Sequence, residues 1–170
     1  MKETFAVLNK MVKDAAIENY AVVGAVGAIF YVEPFSTQDI DVLVVIPEPQ
    51  EKLIVEMPGW KYLNARGYSE IRGEGIVVEG WPVQFLPITS ALEREAYLNA
   101  QDQNLDGVSV RVVQPEHLVA MMLKLGRLKD FARIEMFLSQ DAINSTVLED
   151  ILQRHGLNGK WKGFRERFLS

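Results

Sequence analysis

The run Asp39-Ile40-Asp41-Val42-Leu43-Val44-Val45-Ile46 sets the tightest limit on what this chain can fold into. From Val42 to Ile46 every position is apolar, so neither face of an extended segment can meet water, and Pro47 stops it. Such a strand belongs in the middle of a covered sheet. Its entry has the opposite character. Asp39 and Asp41 stand two residues apart and project from one face of the strand. Asp is disfavoured in strands, and paired carboxylates repel or share a proton unless a cation relieves them. Mg2+ (or Mn2+) suits the pair, because it prefers oxygen ligands and commonly takes one or two carboxylates together with substrate phosphates. The alternative is a solvated strand entry after the Ser36-Thr37-Gln38 loop.

Upstream, residues 20–23 (YAVV) read as a short strand that turns through Gly24-Ala25-Val26-Gly27-Ala28 into a short helix. Glycine lets the backbone turn sharply and approach a ligand, and helix-start amides suit a phosphate; a tight turn with close packing and no ligand is the other reading. Residues 3–18 predict an amphipathic helix on Phe5, Leu8, Met11, Val12 and Ala15. Residues 51–66 read as two short helices divided at Pro58-Gly59. From residue 68, three strands follow with bends at Gly73 to Gly75 and at Glu79-Gly80, which predicts an antiparallel meander. Ser90 and Glu93 form a capping box opening a helix over 90–102, and residues 107–113 (GVSVRVV) give one more strand.

From Gln114 the pattern is helical only, with Pro115 in the first turn and further helices over 141–154 and 158–169. The expected class is α+β: a mixed sheet flanked by helices, with an α/β core at 1–113 and a helical C-terminal segment at 114–170 in one compact unit. A chain of 170 residues, 48% hydrophobic, supports one core of this kind.

Composition narrows the chemistry. There is no cysteine, hence no disulfide and no thiolate site, and His117 and His155 alone cannot build a histidine-rich zinc site. No apolar stretch approaches membrane-spanning length, and residues 1–4 run into a helical pattern without a secretory signal, so a cytoplasmic location is expected. A net charge of −5 argues against coating nucleic acid non-specifically, which needs many phosphate contacts from Lys and Arg.

Strand, small-residue turn, short helix and then Thr37-Gln-Asp39-Ile-Asp41 resembles the signature of the nucleotidyltransferase superfamily that includes DNA polymerase beta. The later run from Pro115 to Asp130 (PEHLVAMMLKLGRLKD) is similar to a segment of the minimal and AbiEii-like nucleotidyltransferases of prokaryotic toxin-antitoxin systems. The resemblance implies a fold, an activity and a site. Asp39 and Asp41 become the metal-binding carboxylates. Gly24 and Ala25 take the phosphate-binding turn, with Gly27 behind them, and Thr37 is the polar residue before the acidic pair. Lys124 contacts substrate phosphate, Asp130 is the acid of the Lys-Asp element, and Arg127 and Lys129 add positive charge. The implied partners are a nucleoside triphosphate, a hydroxyl acceptor on a protein, RNA or small molecule, and, in a toxin-antitoxin pair, a partner protein.

Two positions depart from that pattern. Ala25 removes a hydroxyl donor from the turn, and Gln84 stands where a third carboxylate is expected on a later strand. An amide can hydrogen-bond but cannot act as a general base. Asp130, Glu79 or Glu74 could supply the missing acid. Two functions therefore stay open: a magnesium-dependent nucleotidyltransferase, or a degenerate relative that binds nucleotide or a partner without chemistry. Lys124, Arg127 and Lys129 are also readable as the solvated face of a helix, and Asp130 as the i, i+3 partner of Arg127. Trp60, Trp81 and Trp161 read as packing residues, and Trp161, Phe164 and Phe168 as the buried stripe of a docked helix.

Overall fold

The computed structural model describes residues 1–45 and 59–169. Helix α1 (Lys2–Lys13) leads to β1 (Tyr20–Val23), α2 (Gly24–Ala28) and β2 (Ile40–Val44). Next come α3 (Trp60–Asn64) and the meander β3 (Ile71–Arg72), β4 (Gly75–Val78) and β5 (Trp81–Pro87). Helix α4 (Ala91–Leu98) precedes the hairpin β6 (Gln101–Leu105) and β7 (Val108–Val112). The chain finishes in α5 (Pro115–Leu125), α6 (Leu128–Ser139), α7 (Ser145–Arg154) and α8 (Asn158–Phe168). Among the described residues, no helix is long and apolar enough to cross a membrane.

Among the described residues the strands order as β3-β4-β5-β2-β1-β7-β6, which puts β2 in the centre as its two-sided apolar run requires. It pairs antiparallel with β1 and parallel with β5. Alternation along the central strands then divides the interior into two cores. Ile40, Val42, Val44, Tyr20, Val22, Val83 and Phe85 face α1, where Phe5, Leu8 and Met11 are fully buried. Ala21, Val23, Leu43 and Leu86 face the C-terminal helices, through Leu118, Ile134, Phe137, Leu148, Ile151 and Phe164. The odd positions of β2 and the even positions of β5 thus point to the helical side.

Two boundaries differ from the sequence reading. The first helix ends at Lys13 rather than running to residue 18, because Ala15 takes a left-handed conformation (φ 56°). The helix over 90–102 stops at Leu98, capping box intact, and Gln101–Leu105 forms an edge strand. That strand is mostly exposed and polar, so no apolar alternation marks it; a two-residue turn with positive φ at Asp106 and Gly107 closes it onto β7. Of the two short helices expected over 51–66, the second is α3, and residues 51–58 lie outside the described residues, as does Pro47.

The helices are tied by a partly buried polar cluster. Glu95 of α4 accepts from His117 Nε2 of α5 at 3.0 Å, and from His155 Nε2 and Arg154 at the end of α7 at 2.7 and 2.6 Å. Burial opposes the charge on Glu95, but these hydrogen bonds outweigh it and hold the carboxyl at about 2. Both histidines are thereby used in structure. With the folded value below the ordinary 4.5, the contribution is fully present above that pH and drains away as pH falls toward 2. Glu95→Gln is expected to cost about 1–3 kcal/mol in urea unfolding at neutral pH and to flatten the acid side of the stability profile. A variant with wild-type unfolding would contradict this.

Helix α8 docks as its aromatic stripe predicts. Phe164 is buried, stacks on Trp161 at 5.5 Å and meets Phe131 of α6 at 5.6 Å. Lys160 Nζ donates to the Lys124 carbonyl at 2.6 Å, fastening the end of α5. Gly126, left-handed at φ 70°, ends α5 and lets the chain turn into α6. This elbow carries Lys124, Arg127 and Lys129 toward the sheet.

Candidate functional site

The site lies on the helical face, where β1 ends and β2 begins. Val23 pairs with Asp41 on one side, and Gln84 of β5 is in register with Asp41 on the other. Gly24 follows with φ 63°, and a Cβ there would lie 2.6 Å from Asp41 Oδ2. Any larger residue would collide with the carboxylate, besides adopting a backbone conformation that L side chains resist. The glycine at the turn thus answers to an aspartate distant in sequence but adjacent in space.

Two cavities meet at this point and share Gly24, Asp41, Gln84 and Arg127. The polar one, about 460 Å³, is also lined by Ala25, Thr37, Asp39, Glu74, Lys129 and Arg133. The second, about 410 Å³, has apolar walls from Leu43, Leu86, Leu92, Leu118, Met121 and Met122, and Lys124 and Asp130 also line it. Nearly all of the residues singled out from sequence therefore converge. Gly27 does not: it is buried under α5, where a Cβ would press to 3.2 Å from both Leu118 and the Val22 carbonyl. Its smallness serves helix-to-sheet packing, the second of the two readings open to it.

Asp41 is the electrostatic centre. Burial pushes its carboxyl up to about 6 and the neighbouring Asp39 charge adds to that, while Arg127, Lys129 and Arg133 pull it back. Its Oδ1 is shielded from solvent and has no hydrogen-bond partner among the described residues. A buried carboxylate oxygen left without a donor is costly, and a cation would satisfy it. Asp39 is exposed at the mouth, and the Thr37 hydroxyl donates to the Asp39 carbonyl at 3.2 Å, bracing the strand entry. Among the described residues, no three His, Cys, Asp or Glu side chains gather to hold a metal. Any cation here would rest on the two aspartates and on ligands from elsewhere.

Asp130 is fully buried and engaged by cations. Arg127 grips it through Nε at 2.6 Å and a terminal nitrogen at 3.1 Å, and Arg133 reaches it at 3.5 Å. The pairing of Arg127 with Asp130 at helical spacing is the structural alternative read from sequence. Its effect is to aim Arg127 into the cleft. Arg133, which sequence reasoning passed over, also lies over the Phe35 ring at 5.1 Å. Only its spacing of three from Asp130 could have flagged it. Of the acids considered as substitutes at the third position, Glu79 sits in the β4–β5 turn bonded to Tyr68, whereas Glu74 accepts from Gln84 Nε2 at 2.9 Å.

No family model matches the sequence, and no curated protein matches it. The architecture does find a match. An antigenic nucleotidyltransferase-like protein from Paracoccidioides brasiliensis superposes with a TM-score of 0.55 over 94% of this chain and 92% of that one, at 16% identity. The fold is nucleotidyltransferase-like. The Megavirus polyadenylate synthase gives a TM-score of 0.45 over 85% of this chain, at 16% identity, and this chain spans 33% of it. Within the nucleotidyltransferase-like fold, the two-lobed cleft at Asp41 is where the acidic pair, the glycine turn and the cationic elbow come together.

Proposed function

We propose that this protein transfers a nucleoside monophosphate from a nucleoside triphosphate to a hydroxyl acceptor. The observation that carries the reading is Asp41: a buried carboxylate with one oxygen unpartnered, beside a second aspartate and facing three cationic side chains. Asp39 and Asp41 would hold Mg2+ (or Mn2+), and their oxygen donor set fits that ion. When bound, the ion supplies charge neutralisation for the triphosphate and for the departing pyrophosphate. Arg127, Lys129 and Arg133 offer donors to phosphate oxygens, and Lys124 adds a charge from the elbow. The apolar lobe receives the non-ionic part of the bound molecules and keeps water from the reacting centre. Catalysis of this kind is largely positioning and charge stabilisation. The core at 1–113 and the helical segment at 114–170 both contribute, and the reading treats them as one working unit.

Gln84 favours a second reading, in which the cleft binds nucleotide, or a partner protein in a toxin-antitoxin pair, without chemistry. Calorimetry with each nucleoside triphosphate and Mg2+, run beside transfer of α-phosphate label to protein, RNA and small-alcohol acceptors, separates the two. Transfer supports the enzyme; tight binding without transfer across the panel selects the binding module; absence of binding removes both.

A further inference from the structure

The β3–β4 turn brings a third carboxylate into the polar lobe at a place the strand pattern does not mark. Residues 73–74 form a two-residue connection, since Arg72 pairs with Gly75. The hairpin lies tight against β5: a Cβ on Gly75 would meet Val83 backbone atoms at 3.0 Å. That contact sets the height of the turn over the cleft. Glu74, exposed at its tip, reaches down so that Oε2 accepts from Gln84 Nε2 at 2.9 Å. Gln84 is in register with Asp41, and Glu74, Asp39 and Asp41 line one lobe. Glu74 Oε1 has no partner among the described residues.

We propose, resting on the transferase reading, that Glu74 is the catalytic general base and Gln84 its positioning residue. An amide at position 84 cannot take a proton, but it donates one hydrogen bond to a carboxylate that can. In the step, the acceptor hydroxyl oxygen bonds to the α-phosphorus and its proton passes to Glu74 Oε1. The bond from the α-phosphorus to the bridging oxygen breaks, and pyrophosphate leaves with that electron pair. The amide holds Oε2 and leaves Oε1 turned to the acceptor. The acid missing from the strand is thus supplied by the neighbouring turn.

Glu74→Gln tests this with little risk to the fold, because the side chain is exposed and its amide oxygen can still accept from Gln84. The reaction is followed as release of labelled nucleoside monophosphate from ATP, CTP, GTP or UTP with Mg2+, and as transfer to ethanol or trifluoroethanol. The expected result is a fall in kcat of about 100-fold with nucleotide affinity unchanged. The deficit should shrink with trifluoroethanol, whose more acidic hydroxyl depends less on a base. A merely structural role would not produce that dependence on the acceptor. Wild-type rates in the variant, or a loss of affinity as large as the loss of rate, would overturn the assignment and leave the transferase reading standing. Failure of the wild type to transfer at all would overturn both.

Discussion

Asp41→Asn is expected to abolish nucleotidyl transfer while making the metal-free protein more stable above pH 6. The two effects share one cause. In the folded chain the Asp41 carboxyl is raised from 3.8 to about 6 by burial and by Asp39. The fold therefore keeps this proton through a pH window in which the unfolded chain has released it. Stability is highest below the lower value, falls as pH rises to about 6, and stays down above it. A shift of this size corresponds to a loss on the order of 2–3 kcal/mol at neutral pH. Asparagine keeps the shape, carries no charge and escapes the loss, so its thermal unfolding should be higher than wild type at pH 7 and equal to it near pH 4. Adding Mg2+ should close the gap by stabilising the wild type alone. Transfer should fall by about 10³-fold or more, in the range seen when a principal electrostatic stabiliser is removed. A variant that melts below wild type in the absence of metal, or that still transfers, would refute this account of the site.

Asp130→Ala is expected to have the largest effect on folding among the site residues. Its carboxylate is completely buried and receives Arg127 by two nitrogens and Arg133 by a third. Removing it leaves two guanidinium groups facing each other across a cavity at the start of α6. Truncating one partner of a buried pair typically costs 3–5 kcal/mol, and the solvent exposure of Arg127 lowers the expectation here to about 2–4 kcal/mol. Urea unfolding measures this directly. In the folded fraction, nucleotide affinity should fall as well, because Arg127 loses the bond that aims it into the cleft. An unchanged unfolding midpoint combined with lost turnover would return Asp130 to the catalytic role that the sequence resemblance implies.

The central strand and its acidic entry were legible because they obey strong local rules. A short all-apolar run stopped by a proline fits a doubly covered strand, and in an extended segment two aspartates at a spacing of two share a face. The capping box at Ser90 and Glu93 and the proline opening α5 were legible for the same reason: each is a short-range bond or dihedral written in a few neighbouring residues. What escaped depends on partners distant in sequence. Gln101–Leu105 is a strand because β7 offers it hydrogen bonds, since its own side chains are mostly solvated. Glu95 gathers ligands from two helices 22 and 60 residues further on, a convergence no spacing rule encodes. Gly27 and Gly24 look alike in the sequence, yet one faces Leu118 and the other Asp41. Glu74 stood among three candidate acids, and only the register of the hairpin on β5 separates it from the others.

The division of the interior into two cores also bears on how the protein is made. α1, β1, β2, the meander and the β6–β7 hairpin emerge first from the ribosome, and one core can close once β7 has delivered Val110 and Val112, since its members all precede Val113. The opposite face of the same sheet, with Ala21, Val23 and Leu43, receives Leu92, Ala96 and Tyr97 of α4 early but is completed only by Leu118 through Phe164. Until then a nascent chain displays an apolar sheet face with the acidic pair at its edge and none of the elbow cations beside it. Such an intermediate exposes apolar surface that favours aggregation, and it lacks the cations that the proposed function offers to a triphosphate. If the cleft transfers nucleotide as proposed, competence arrives only with the closing helices.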